Sequence, residues 1–315
     1  MRIIELWRRL CWGAIYLGPR RDVTVDTFNG LLTFNSKDWL IGKYLYVKRS
    51  HEADQIERAI QILRREGYLG DLLSGKSLLN VGANIGMTVV CLVKQGYFDR
   101  AIAFEPAPDT YRLLIQNINQ NGLQGRIHSF PFALSSLNGE LELEVSSDNS
   151  GDNRIRQVER PGFFREEKRR TIRVPVKTLD GFLAENPLVR GDGVHLAWVD
   201  IQGHEGQFFR GARQFFRRGI PVVAEFWPYA VDRSGMSAQE LCEILSELFS
   251  HFYVVGVGPE QKQPICEAAG LFQTYAGPRE MCTVILLPNR QTTTNHLSEP
   301  PEQVAATDPD QSKLQ

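Results

Sequence analysis

The sequence predicts an α/β domain: an open, mainly parallel sheet with helices on both faces. Three observations carry this. From residue 77 to 219 short apolar runs alternate with amphipathic stretches. The first such run, SLLNV, passes directly into a glycine-spaced turn, GANIG (82–86). The next, RAIAFE, ends on an acid, Glu105, 23 residues after Gly82. Ligands of such sheets sit beyond the carboxyl ends of the strands, where the strand order reverses.

The elements follow in order. Residues 1–19 (MRIIELWRRLCWGAIYLGP) read as an amphipathic helix with Ile3, Trp7, Leu10, Ala14 and Leu17 on one face. Glu5, Arg8 and Arg9 interrupt the apolar run and no small-residue cleavage site follows, which argues against a secretory signal. The preferred reading docks this helix on the domain or on a partner subunit; peripheral contact with an anionic membrane is the alternative. Residues 20–76 form a small α+β extension. VTVDTFNGLLTFN is a hairpin, YLYVK a short strand, and SHEADQIERAIQILRREGYL a helix capped by Ser50.

The main domain spans 77–288. GMTVVCLVKQG and DTYRLLIQNINQNG, the latter capped by Asp109, are helices between the first three strands, of which RIHSFPFAL is the third. ELELEV alternates as a half-exposed strand does, and residues 146–170 are a polar, charged loop or lid. TIRVPV, HLAWVDI, PVVAEFW, FYVVGVG and MCTVILLP are further strands. TLDGFLAE, a stretch from about His204 to Arg218, and SAQELCEILSELFS are helices. The last strand is expected to run antiparallel. Residues 289–315 have almost no large apolar side chains and read as a disordered tail.

Bulk properties narrow the function. A formal net charge of −1 lacks the basic excess of a nucleic-acid binder. Five scattered cysteines without a C-x-x-C pair, and histidines without H-x-x-x-H, suggest neither a disulfide framework nor a metal site. A reducing, cytoplasmic setting is expected. No run is long and apolar enough to span a membrane.

Gly82 and Gly86 have the spacing G-x-x-x-G rather than the G-x-G-x-x-G of dinucleotide binders. That suits a wider turn around an amino-acid moiety, while Glu105 is placed to accept the hydroxyls of a ribose. S-adenosylmethionine therefore fits better than NAD. A Tyr-x-x-x-Lys pair, Tyr44 and Lys48, precedes the cofactor loop and so lies on the wrong side of the fold for a dehydrogenase.

NVGANIG (80–86), AFEPAPDTYRLLIQNINQNG (103–122), FALSS (132–136), SSDNSG (146–151), VPVKTLD (174–180), VDIQGHEGQFFRGA (199–212) and AEF (224–226) together resemble the FkbM family of S-adenosylmethionine-dependent methyltransferases. The resemblance covers about residues 77–288. It implies a class I methyltransferase fold, Rossmann-like, with a seven-stranded sheet whose last strand is antiparallel. It implies cofactor contacts from Asn80, Gly82, Ala83, Asn84, Gly86, Glu105, Pro106, Ala133 and Asp200. Asn80 and Gln202 stand where the family usually has Asp and Glu. Asn80 keeps an acceptor oxygen but loses the charge expected to face the methionine ammonium.

The implied reaction is methylation of a hydroxyl on a sugar, glycan or small metabolite, and an alcohol needs a general base. His204 is the candidate, as base or as helix cap, with Asp200 beside it and Glu205 in the first helical turn. Asp148, Glu225 and Trp227 are candidates for the acceptor pocket, Trp227 as a stacking wall or as a core residue. The competing reading is a catalytically degenerate binding or scaffold protein on the same fold. Nucleic acid is disfavoured as acceptor, no metal is expected, and oligomeric state is not legible.

Overall fold

The computed structural model describes residues 2–70, 75–186, 189, 191–256, 258 and 260–289. The expected disordered tail, except Asn289, lies outside them. The chain opens with helix α1 (Arg2–Leu17), the hairpin β1 (Asp22–Thr27) and β2 (Gly30–Asn35), and helix α2 (Trp39–Lys43), then α3 (Ala53–Arg65). There follow β3 (Ser77–Val81), α4 (Met87–Lys94), β4 (Arg100–Phe104), α5 (Pro108–Gln120), β5 (Ile127–Phe130), β6 (Ala133–Leu134), β7 (Gly139–Val145), β8 (Arg154–Ile155) and β9 (Arg170–Lys177). Next come α6 (Leu179–Glu185), β10 (Val194–Val199), α7 (Glu205–Gly211), α8 (Arg213–Phe216), β11 (Val222–Phe226) and α9 (Pro228–Arg233). The chain closes with α10 (Ala238–Leu248), β12 (Phe249–Val255), β13 (Gln263–Pro264), α11 (Ala269–Thr274) and β14 (Cys282–Pro288).

The main sheet has the order β13-β12-β14-β11-β10-β3-β4-β5. β5, β4, β3, β10 and β11 are parallel, and β14 is antiparallel to both its neighbours, β11 and β12. The sheet thus has eight strands among the described residues rather than the expected seven. The extra one is the two-residue β13, which pairs antiparallel with the edge strand β12. Strand order reverses between β3 and β10, so the loops after those two strands open the crevice where a ligand belongs.

Several local expectations are corrected. RIHSFPFAL is two strands, because Pro131 has no N–H for the ladder. The residues after it leave the main sheet and pair with β9 in a second, four-stranded sheet, β6-β9-β7-β8. YLYVK is a π-helical turn continuing α2, with Leu45 and Val47 buried. Ser50 does not cap α3; the chain enters it through Glu52 in the left-handed region (φ 54°) with no side-chain cap. Asp109 lies in the first turn of α5, which starts after Ala107 with Pro108 at its first position. The single helix expected over 204–218 breaks after Gly211, which packs so close to β6 that a Cβ would stand 1.9 Å from the Ser135 carbonyl oxygen.

The extension shares one core with the domain. Leu32, Phe34, Ile41 and Leu45 belong to the same buried cluster as Val89, Val90 and Leu114. The edge of β2 is satisfied by amides of α5. Leu31 N–H donates to Asn121 Oδ1 (3.0 Å) and Thr33 N–H to Asn117 Oδ1 (2.7 Å), while Asn117 Nδ2 donates to the Thr33 carbonyl (3.0 Å). Side-chain amides spaced by one helical turn here stand in for a neighbouring strand.

Helix α1 is docked on the domain, but through the face opposite to the expected one. Trp12 is buried at 1% exposure against Phe34, Tyr46 and Gly42, where a Cβ would meet its ring at 2.6 Å. Ile3, Trp7, Leu10, Ala14 and Leu17, assigned to the dry side by periodicity, point to solvent. Trp12→Ala is expected to cost about 3–5 kcal/mol in denaturant unfolding, as large aromatic truncations in cores do. Trp7→Ala, in the same assay, is expected to change stability by less than about 0.5 kcal/mol.

Candidate active site

Three strand ends build the crevice floor. β3 delivers Asn80 and then Gly82, whose N–H donates to the Phe104 carbonyl at the end of β4 (3.0 Å). The Asp200 N–H, just past β10, donates to the Val81 carbonyl (3.0 Å). Gly82 has φ 79°, and an added Cβ would lie 1.8 Å from the Asp200 carbonyl oxygen, so only glycine lets the two loops meet. Gly86 (φ 95°) starts α4 against Leu114 and does not line the cavity; its role is packing.

Beyond the strand ends lies a cavity of about 890 Å³. Asn80, Gly82, Ala83, Asn84, Glu105, Pro106 and Ala133 line it. Glu105 is buried, accepting from the Asn84 N–H at Oε2 and the Ala107 N–H at Oε1 (both 2.9 Å). Burial still raises its carboxyl to about 7. Asn80, 1% exposed, donates from Nδ2 to the Trp198 carbonyl (3.2 Å), and its Oδ1 is buried with no partner. Leaving such an acceptor unpaired is costly.

Asp200, Gln202, His204 and Glu225 line the cavity as well, with Trp227 and Asp148 also on the wall. Gln202 sits in the left-handed region (φ 56°), and its Nε2 donates to both Asp200 Oδ1 (2.7 Å) and Glu225 Oε2 (2.8 Å). One amide thereby clamps two carboxylates. Burial, then the neighbouring Glu52, raises Asp200 to about 6; burial and Asp200 push Glu225 well above the usual carboxylate range. His204 is buried, which lowers its imidazole to about 4, so it is neutral at pH 7. Its Nε2 is 3.0 Å from Ser135 Oγ, its Nδ1 is unpartnered, and it makes no side-chain cap bond to α7. Glu205 does not line the cavity. Its Oε1 accepts from the Ile201 N–H (3.0 Å), closing the loop that carries Asp200.

Sequence reasoning missed what the extension contributes. His51 and Glu52 line the cavity, and burial raises Glu52 to about 7. Asp38 caps α2 at Ile41 N–H (2.9 Å) and also accepts from Ser150 N–H (2.9 Å) and Ser150 Oγ (2.6 Å), which ties the 146–170 loop to the extension. No local motif marks these residues; only the left-handed backbone at Glu52 is unusual, and it is visible only in the fold.

Three arginines of that loop turn inward into ion pairs, while Arg160, Arg165 and Arg170 are exposed. Arg154 pairs with Asp152 and lies 3.7 Å from Glu166, Arg156 pairs with Glu144, and Arg169 pairs with Asp152. Arg154 is 3% exposed and lies over the Trp227 ring at 4.8 Å, so that face of Trp227 is covered by a guanidinium. The Trp227 Nε1 donates to the Pro278 carbonyl (3.0 Å). Arg154 Nε and Nη1 are buried without hydrogen-bond partners.

The family model for the methyltransferase FkbM domain matches residues 80–252. The chain belongs to the FkbM methyltransferase family. Its curated relatives include methyltransferase sdnD of Sordaria araneosa, 24% identical over half of this chain and 69% of the relative. Methyltransferase 1 of Beauveria bassiana is 26% identical over 42% of this chain and 57% of that relative. Among solved structures, P. horikoshii TYW2 in complex with MeSAdo aligns over 90% of this chain and 80% of that one, at 11% identity and a TM-score of 0.41, a likeness too distant to bear on function.

The buried acids of this methyltransferase predict a pH dependence of stability. Glu52, Glu105 and Glu205 stand near 7 in the fold against about 4.5 unfolded, so the folded state holds protons more tightly. Stability should then rise as pH falls from about 8 to about 6.5. Below that, His51 and His204, both lowered by burial, oppose the trend because the unfolded chain takes up their protons first. Thermal melts across this range check it, and Glu205→Gln, which keeps the acceptor for Ile201, should flatten the slope.

Proposed function

We propose that this chain is an S-adenosylmethionine-dependent O-methyltransferase, acting on a hydroxyl of a sugar, glycan or other small metabolite rather than on nucleic acid, in a reducing, cytoplasmic setting. The observation that carries the reading is Asn80 Oδ1, a buried acceptor without a partner at the end of β3, beside Glu105 and the Gly82 turn. The residues present fit the cofactor. Asn80 and Asp200 would hold its amino-acid end, Ala83 and Asn84 its middle, and Glu105 with Pro106 its ribose; Ala133 would wall the far side. When bound, it supplies a methyl group on a sulfonium, an electrophile that needs no metal.

The chain's own work is alignment and removal of one proton. Asp200 is the better base: it stands at the strand end in the cavity, and its raised carboxyl lies closer to neutrality than the buried imidazole of His204. His204 instead orients the wall through Ser135 Oγ, and Glu205 holds the loop. Gln202 fixes Asp200 and Glu225 by one oxygen each and leaves the other oxygens for acceptor hydroxyls. A family glutamate at that position would crowd a third carboxylate against these two, so the glutamine reads as tuning rather than decay. Glu225, Trp227 and Asp148 are the acceptor wall.

Asp200→Asn should lower turnover by about 10²–10⁴-fold, the usual contribution of a general base. In the wild type, turnover should fall on the acid side as Asp200 takes up its proton and stay flat above neutrality. A flat acid limb would remove Asp200 from this role.

Calorimetry with S-adenosylhomocysteine tests the cofactor site. Wild type should bind and Glu105→Ala should not. Asn80→Asp should tighten binding by up to about tenfold, the difference between a neutral and a charge-assisted hydrogen bond. No binding by wild type, restored by Asn80→Asp, would instead favour the degenerate, scaffold reading.

A further inference from the structure

The apolar face of α1 is left uncovered in the folded chain. Ile3 is 84% exposed, Leu10 68%, Trp7 63% and Leu6 61%. These side chains, with Ala14 and Leu17, fall on one side of the helix, while Trp12, Tyr16 and Arg8 on the other side fasten it to the domain. Arg8 Nη1 donates to the Val47 carbonyl (3.4 Å), Lys48 pairs with Glu5 (2.7 Å), and Lys37 Nζ donates to the Gly18 carbonyl (2.7 Å). The helix is thus fastened to the domain through Trp12 and these polar contacts, with the face of Ile3, Trp7 and Leu10 left outward. A monomeric surface rarely presents such a patch without a partner.

Charge says what the partner is. Residues 1–50 carry nine Lys and Arg against four Asp and Glu, a net +5. The remaining residues carry 27 against 33, a net −6. The cations of the first fifty residues include Arg9 on the helix, Arg20 and Arg21 just after it, and Lys43 and Lys48 on the elements it packs against. A second copy of this chain would bring the same positive surface against itself. An anionic lipid surface is complementary to both features at once, since amphipathic helices with basic flanks and Trp or Leu on the apolar side bury that side at the headgroup boundary.

Position adds a third argument. Trp39 meets the Tyr16 ring edge-on at 4.9 Å, and Trp39 and Leu40 are both about 40% exposed and line the mouth of the cavity. Met281, 42% exposed, lines it too. Exposed apolar side chains therefore stand both on α1 and around the cavity. Among the described residues no helix is long and apolar enough to cross a membrane, so the contact is peripheral.

We propose that α1, with Trp39 and Leu40, docks this methyltransferase on an anionic membrane surface and sets the mouth of its cavity at the lipid–water boundary. The test is co-sedimentation of the full chain with vesicles of phosphatidylcholine alone and of phosphatidylcholine with phosphatidylserine. Wild type should bind the second far better than the first and release as salt is raised. Trp7→Glu/Leu10→Glu should weaken binding at least about tenfold, because it replaces two buried apolar groups with anions. Absence of wild-type binding to anionic vesicles, or undiminished binding by the double variant, would overturn the proposal. So would a dimer by light scattering that the double variant dissolves, which would assign the face to a second copy. The double variant should bind S-adenosylhomocysteine as wild type does, so loss of membrane binding and failure of the cofactor site are read separately.

Discussion

The structure depends on how closely two parallel strands can end together. β3 and β10 are neighbours at the point where strand order reverses, and their following loops meet at Gly82 with no room for a side chain. That contact places the Asp200 carboxylate beside the turn that would cradle a cofactor. The Glu205 carboxylate holds the Asp200 loop from behind through Ile201, and Glu105 holds the Asn84 turn from the side. Each functional group is thus fixed by backbone contacts made one strand away, which is how a sheet edge pre-orients a site without strain in the strands themselves.

Around this junction the chain concentrates negative charge in a low-dielectric place. Glu52, Asp200 and Glu225 face one cavity; burial raises all three carboxyls, Glu52 adds to the rise at Asp200, and both add to it at Glu225, with Arg154 as a nearby counter-charge. Such a cluster favours a cationic ligand. It also changes the meaning of Asn80. A further carboxylate there would join an already repelling set, whereas the amide keeps an acceptor oxygen and gives its N–H to the Trp198 carbonyl. The same logic applies to Gln202, whose single amide group satisfies two acids. Two replacements that look like decay in a motif look like charge relief in three dimensions.

Much of the fold was legible. The β3 turn, Glu105 at the end of β4, and the antiparallel last strand follow from periodicity, glycine spacing and resemblance to a known family. What failed did so for definable reasons. YLYVK alternates like a strand, yet a five-residue run cannot outvote the helix it continues. Pro131 cut a strand whose apolar pattern ran straight through it. His51, Glu52 and Asp38 come from an extension with no motif of its own, and only tertiary packing brings them to the cavity. For α1, periodicity found the apolar face but not which side of the helix the domain covers. A single large residue, Trp12, decided that, because Gly42 leaves a hole of its shape.

That hole links the extension to the cavity. Trp12 seats α1 on α2 at Gly42; Asp38 caps the start of α2; the other carboxylate oxygen of Asp38 takes Ser150 from the loop that walls the cavity. The Trp39 N–H, next in the chain, donates to the Asp148 carbonyl of the same loop (2.7 Å). An element that periodicity would treat as an appendage is therefore structurally continuous with the wall of the cavity. Filling the space at Gly42 would push α1 away and shift the cap that holds Ser150, so packing under the helix and closure of the pocket are one constraint rather than two.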